Sequence, residues 1–132
     1  MRKLLPVLML VYGAASLVHF IHNAEFLADY PGLPVTWTRA GVYSAWAAMS
    51  ALGFCGWLLV SRGYPVVGLL LVAVYAALGM DSLGHYVLAP MSAHSPAMNA
   101  TILLEVSAAA LVFLEAARLM VLHVASRRIR AS

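Results

Sequence analysis

Residues 4 to 27 read LLPVLMLVYGAASLVHFIHNAEFL, and the solvent of the protein is decided there. The run carries no charge before Glu25. At 1.5 Å per helical residue it is long enough to cross the ~30 Å hydrocarbon core of a bilayer. Yet its second half holds His19, His22 and Glu25. Ionisable groups inside a membrane span face other protein rather than lipid, so this stretch predicts both a helix in lipid and partners for it.

The pattern recurs along the chain. Apolar runs at Thr38–Val60, Val66–Leu88 and Pro96–Val124 follow the first at Leu4–Leu27. The 132 residues are 64% hydrophobic and only 10% charged, with a mean hydropathy of +0.90. A soluble domain has roughly a quarter of its residues charged. The fold class expected is therefore all-α: a polytopic membrane protein, one domain over residues 1–132, built as an antiparallel bundle of four transmembrane helices. The segment SRGYP is a tight turn with Gly63 and Pro65 as breakers. TWTRAG opens the second span with Thr36 or Thr38 as N-cap, and HSPAMN opens the fourth with Ser95 capping and Pro96 at the first helical position. The start also has the form of a secretory signal peptide, with YGAAS as the cleavage site. The apolar run passes through that site to Leu17, Val18, Phe20 and Ile21, so a first span is expected instead.

The sequence pI is about 9.4, but the basic residues do not form a face for nucleic acid. Arg2 and Lys3, Arg62, and Arg127, Arg128 and Arg130 all flank one end of the spans, whereas the opposite loops hold only Arg39. The positive-inside rule then places both termini in the cytoplasm, in the cytoplasmic membrane if the source is bacterial. Cys55 is the single cysteine and implies no intrachain disulfide.

Three spans bring ionisable groups to one depth in the outer leaflet. The first carries His19, His22 and Glu25, within a 120° arc at 100° per residue. The third carries GMDSLGHY, where Asp81 and His85 are four apart and are expected to share a face. The fourth carries Glu105, about 13 Å below its outer end, on a face with Thr101, Ala108, Ala109, Val112 and Ala116. His94 in the outer loop is expected to cover the set, and the alternative reading of both His94 and Asp29 is as solvated loop residues. Tyr43, Trp46, Ser50, Gly53 and Trp57 form a stripe on the second span, read as packing with one aromatic walling a pocket. Glu115 with Arg118, and His123, belong to the inner half and read as structural.

Each interhelical hydrogen bond in a membrane protein contributes only about 0.6 kcal/mol. A charge at mid-span costs about 2.5–3.5 kcal/mol on insertion scales. Six groups at one depth thus point to a site rather than to adhesion between helices. The leading expectation is a divalent transition metal, Zn, Fe, Mn or Cu, with His19, His22, Glu25, Asp81, His85, His94 and Glu105 as candidate ligands. It is coupled to catalysis by Glu105 and Asp81 on a lipophilic substrate. The first alternative is metal-free acid–base chemistry on a lipid, with Glu105 or Asp81 giving a proton and a histidine taking it. Others are haem held by His22 and His85, and a non-catalytic subunit of a homo-oligomer or larger membrane complex. His22, Asp81, His85 and Glu105 are expected to converge in either case.

The four spans and the segment HNAEF, residues 22–26, resemble small uncharacterised bacterial membrane proteins with an HxxEE motif. His22 and Glu25 match that motif, and Phe26 stands at its second glutamate. The resemblance implies a four-span fold and no particular activity. DSLGH followed by His94 is similar in spacing to the Asp–His–His copper ligands of membrane methane and ammonia monooxygenases.

Overall fold

A computed structural model describes residues 3–131. Arg2, part of the basic N-terminal flank, lies outside the described residues. Helix α1 spans Leu4–Glu25, α2 Arg39–Ser61 and α3 Pro65–Met80. A 3-10 turn at Asp81–Gly84 leads into the short α4, His85–Leu88, and α5 runs over Pro96–Ala131. There is no strand among the described residues. The four candidate spans, Leu4–Glu25, Arg39–Ser61, Pro65–Leu88 and Pro96–Ile129, are long and apolar enough to cross a membrane. The all-α four-helix fold is the one expected.

Helix termini follow local chemistry. Thr38 Oγ1 accepts the Gly41 amide at 3.0 Å and starts α2, while Ser95 Oγ accepts the Met98 amide at 3.2 Å ahead of Pro96. Gly63, at φ +90°, reverses the chain between α2 and α3. The first helix stops at Glu25 rather than Leu27, because Leu27–Asp29 tightens into a 3-10 turn.

The principal packings are α1 on α2, α2 on α3, α3 on α5, and α5 on α1, which closes a ring of four helices. Its core is made of Tyr12, Ala15, Leu69, Val72, Tyr75, Ala76, Ala108, Ala109, Val112 and Ala116. Small residues dominate, as expected where helices associate by close van der Waals approach rather than by a solvent-driven effect. Helices α2 and α3 approach backbone to backbone. A Cβ added to Gly68 would lie 2.6 Å from the Gly56 carbonyl oxygen, and one added to Gly56 would lie 2.9 Å from that of Gly68. The outer surface is hydrocarbon: Leu10, Val67, Leu70, Val87, Leu114 and Val121 all point away from the bundle. That surface suits a lipid bilayer.

One expected helix is broken. Asp81 and His85 do not share a face, because the 3-10 turn between them advances three rather than 3.6 residues per turn. Asp81 turns outward and His85 inward.

Candidate acid–base site

Glu105 of α5 has a fully buried side chain. Its own helix supplies only small or apolar neighbours, so its partners come from elsewhere. The 3-10 turn brings in Ser82, whose hydroxyl donates to Glu105 Oε2. From α1, His19 Nε2 stands 3.7 Å from the same oxygen. That distance exceeds a hydrogen bond, so the two groups face each other without being locked together. Ser16, one turn before His19, lies beside Glu105 and Tyr12 but forms no aligned hydrogen bond among the described residues.

The hydrogen-bond pattern assigns the imidazole protons. Thr101 Oγ1 donates its own proton to the Met98 carbonyl at 3.0 Å. At 3.2 Å from His19 Nδ1 it therefore accepts, which places the His19 proton on Nδ1 and its lone pair on Nε2, toward Glu105. Asn23 Nδ2 donates to His85 Nε2 at 3.1 Å, and His94 Nδ1 donates to the Pro90 carbonyl at 3.1 Å. His85 is left with an N–H at Nδ1 and His94 with a lone pair at Nε2. Both atoms are buried and lack a hydrogen-bond partner among the described residues. The His85 ring lies edge-on to His19 at 5.5 Å and to His94 at 6.1 Å between centroids. The site thus holds one unmet donor and one unmet acceptor in neighbouring rings.

Tyr30 closes the site on the side of the α1–α2 loop. It follows the 3-10 turn after α1 and is only 3% exposed. Its hydroxyl is hydrogen-bonded to His22 Nδ1 at 2.9 Å, and its ring packs on His85 at 5.0 Å and near His19 at 6.4 Å. Met98 and Ile102 of α5 hold it from below. Loss of water around the hydroxyl pushes its pKa up to about 12. Gly32, at φ +78°, lets the same loop turn against α4, where an added Cβ would meet the Leu88 carbonyl oxygen at 2.9 Å.

The residues singled out from sequence separate into three groups. His19, His85, His94 and Glu105 are buried. His22 is half-buried and bound to Tyr30. Glu25 and Asp81 leave the set. Glu25 Oε1 accepts from Arg39 Nη2 and from the Tyr43 hydroxyl, each at 2.7 Å, and this ties α1 to α2 at the rim. Asp81 is exposed with no hydrogen bond or ion pair among the described residues. The expected convergence of His22, Asp81, His85 and Glu105 is therefore corrected to His19, His85 and Glu105, with His94 above. The inward face of α1 runs Tyr12, Ser16, His19, Asn23 and is not centred on His22. As expected, Arg118 holds Glu115 through two bonds of 2.7 Å at the other end.

Among the described residues, no three His, Cys, Asp or Glu side chains gather closely enough to hold one metal ion. The side chains as placed do not form a metal cage. Tyr30 packs on both His22 and His85, which fills the slot a haem between them would need.

Ser50 and Trp57 of the α2 stripe, with Pro6, Met9, Leu10 and Phe54, wall a cavity of about 370 Å³ whose lining reaches Tyr75. Tyr75 stacks on Tyr12 at 4.5 Å between centroids, and the Tyr12 hydroxyl donates to the Tyr75 carbonyl at 3.1 Å. Tyr12 lies beside Ser16 and Glu105, so Tyr75 and then Tyr12 stand in succession between the apolar cavity and Glu105. Sequence reasoning passed over Ser16, Asn23, Ser82 and Tyr30. The first two were readable from their spacing with His19, whereas Ser82 and Tyr30 depend on turns. The chain matches no protein-family model, and no curated protein or solved structure is detectably similar to it.

Proposed function

We propose that this protein is an integral membrane acid–base catalyst acting on a lipophilic substrate, with both termini in the cytoplasm and the site in the outer leaflet. One observation carries the reading: a buried carboxyl and an imidazole lone pair face each other at 3.7 Å, each held by a hydroxyl from a different element. The chemistry suited to that pair is an isomerisation. His19 Nε2 takes a proton from a carbon of the substrate, Glu105 gives one to another carbon, and the pair then re-equilibrates its protons. No electrons are gained or lost, and no co-reactant is consumed. The apolar cavity behind Tyr75 supports a hydrocarbon substrate that enters from the bilayer.

The test starts from a mixture of lipids rather than from one chosen substrate. Purified protein is incubated with a total membrane lipid extract in D2O, and the lipids are examined by mass spectrometry for carbon-bound deuterium or for isomers. The parent is expected to label or isomerise a defined lipid class, and Glu105→Gln to lower the rate by about 10²–10⁴-fold, the usual weight of a positioned acid or base. Elemental analysis of the same preparation should find no stoichiometric transition metal. Equal labelling by parent and Glu105→Gln rejects the proposal, and a stoichiometric metal lost on His85→Ala replaces it with the metal reading.

A further inference from the structure

The opposite end of the bundle contains a second, larger cavity of about 820 Å³, bounded by α1, α2, α3 and α5. Its walls are hydrocarbon at Leu5, Trp57, Leu69 and Leu122, while His123 and Arg127 contribute the polar edge. His123 Nε2 is buried and has no hydrogen-bond partner among the described residues. Arg127 makes no ion pair with another described residue and is exposed.

Charge around this cavity has one sign. Lys3, Arg62, Arg127 and Arg128 stand at this end, and the sole acid of the inner half, Glu115, is neutralised by Arg118. A pocket that is apolar within and cationic at its edge fits an amphiphile with an anionic head. Basic pockets between membrane helices on the cytoplasmic side commonly hold anionic lipid head groups. We propose that this cavity is a binding site for an anionic phospholipid. Arg127 and the free nitrogen of His123 hold the phosphate, and an acyl chain lies along Leu5, Leu69 and Trp57. Basic residues beside a span would attract anionic lipid diffusely in any case; what makes this a site is the cavity together with the unpartnered His123 nitrogen. The proposal does not depend on the outer acid–base chemistry.

Trp57 lines this cavity and also the one of about 370 Å³, so its signal is assigned to this cavity through Arg127, which lines only this one. In a Trp37→Phe, Trp46→Phe background Trp57 is the remaining tryptophan. The protein is reconstituted in phosphatidylcholine vesicles containing brominated phosphatidylglycerol or, at equal mole fraction, brominated phosphatidylcholine. Both leaflets contain the probe, so the measurement is independent of orientation. Quenching of Trp57 should indicate about fivefold enrichment of the anionic lipid, the weight of about one basic side chain near an anionic surface. Arg127→Gln should abolish the preference, and Arg128→Gln, with the same change in charge but outside the cavity lining, should keep it. Helical content by circular dichroism confirms that each variant is folded. Equal quenching by the two brominated lipids in the parent, or equal loss of preference in the two arginine variants, overturns the site.

Discussion

Tyr30 has exchanged water for an imidazole nitrogen and contact with the His85 and His19 rings. Its hydroxyl is raised to about 12 from 10.0, chiefly by burial. The phenol is neutral when protonated, so the folded state favours the proton. The stabilisation from this group is complete below pH ~10 and is lost as pH climbs through ~12. Ultraviolet titration should therefore show that Tyr30→Phe loses a tyrosinate transition near pH 12 while the part near pH 10 is unchanged; a difference between parent and Tyr30→Phe centred near pH 10 would show that Tyr30 is solvated. The sequence offers little warning of this residue. Tyr30 sits between Asp29 and Pro31 in a polar turn, and only the fold of that turn over Met98 and Ile102 buries it. His19 and Glu105 are readable, because a polar group within a long apolar run must find a partner inside the bundle. Asp81 departs from expectation for a local reason: i, i+4 adjacency holds in an α-helix and fails in the 3-10 turn that delivers Ser82.

At the scale of elements, the α2–α3 seam depends on the absence of side chains. The atoms that would meet a Cβ on Gly68 are the Gly56 carbonyl and the Val60 amide, both backbone, and neither can rotate aside. Gly68→Ala must then push the helices apart and should cost about 1–3 kcal/mol, the usual range for overpacking. Gly84→Ala adds a Cβ with nothing within 4 Å and serves as the control. Thermal unfolding in detergent should show a lower midpoint for Gly68→Ala alone, and equal midpoints for the two variants would mean that the seam is not tightly packed. The four spans are legible because hydrocarbon length is recorded directly in composition, and Thr38 and Ser95 mark two helix starts. The pairing of Gly56 with Gly68 is not legible, since either glycine alone reads as an ordinary small residue of a membrane helix.

Across the whole molecule, the two ends of the bundle carry opposite chemistry. Glu25, Asp29 and Asp81 lie toward the end that holds the acid–base site, with Arg39 as their only basic neighbour, already paired to Glu25. Lys3, Arg62, Arg127 and Arg128 stand at the other. Helix α5, at roughly 54 Å for its 36 residues, is longer than the hydrocarbon core. The excess carries its arginines beyond the apolar slab at the basic end. Arginine and lysine near span ends are retained on the cytoplasmic side during insertion, so the acidic rim and the lid formed by Tyr30 should face outward. Cysteine labelling tests this at positions chosen for exposure. With Cys55→Ala as background, Val35→Cys is at a fully exposed position of the α1–α2 loop, and Arg62→Cys in the exposed α2–α3 turn. In intact cells an impermeant maleimide should modify Val35→Cys and spare Arg62→Cys until the membrane is permeabilised. The reverse pattern would place the site in the cytoplasmic leaflet, with its substrate drawn from that side.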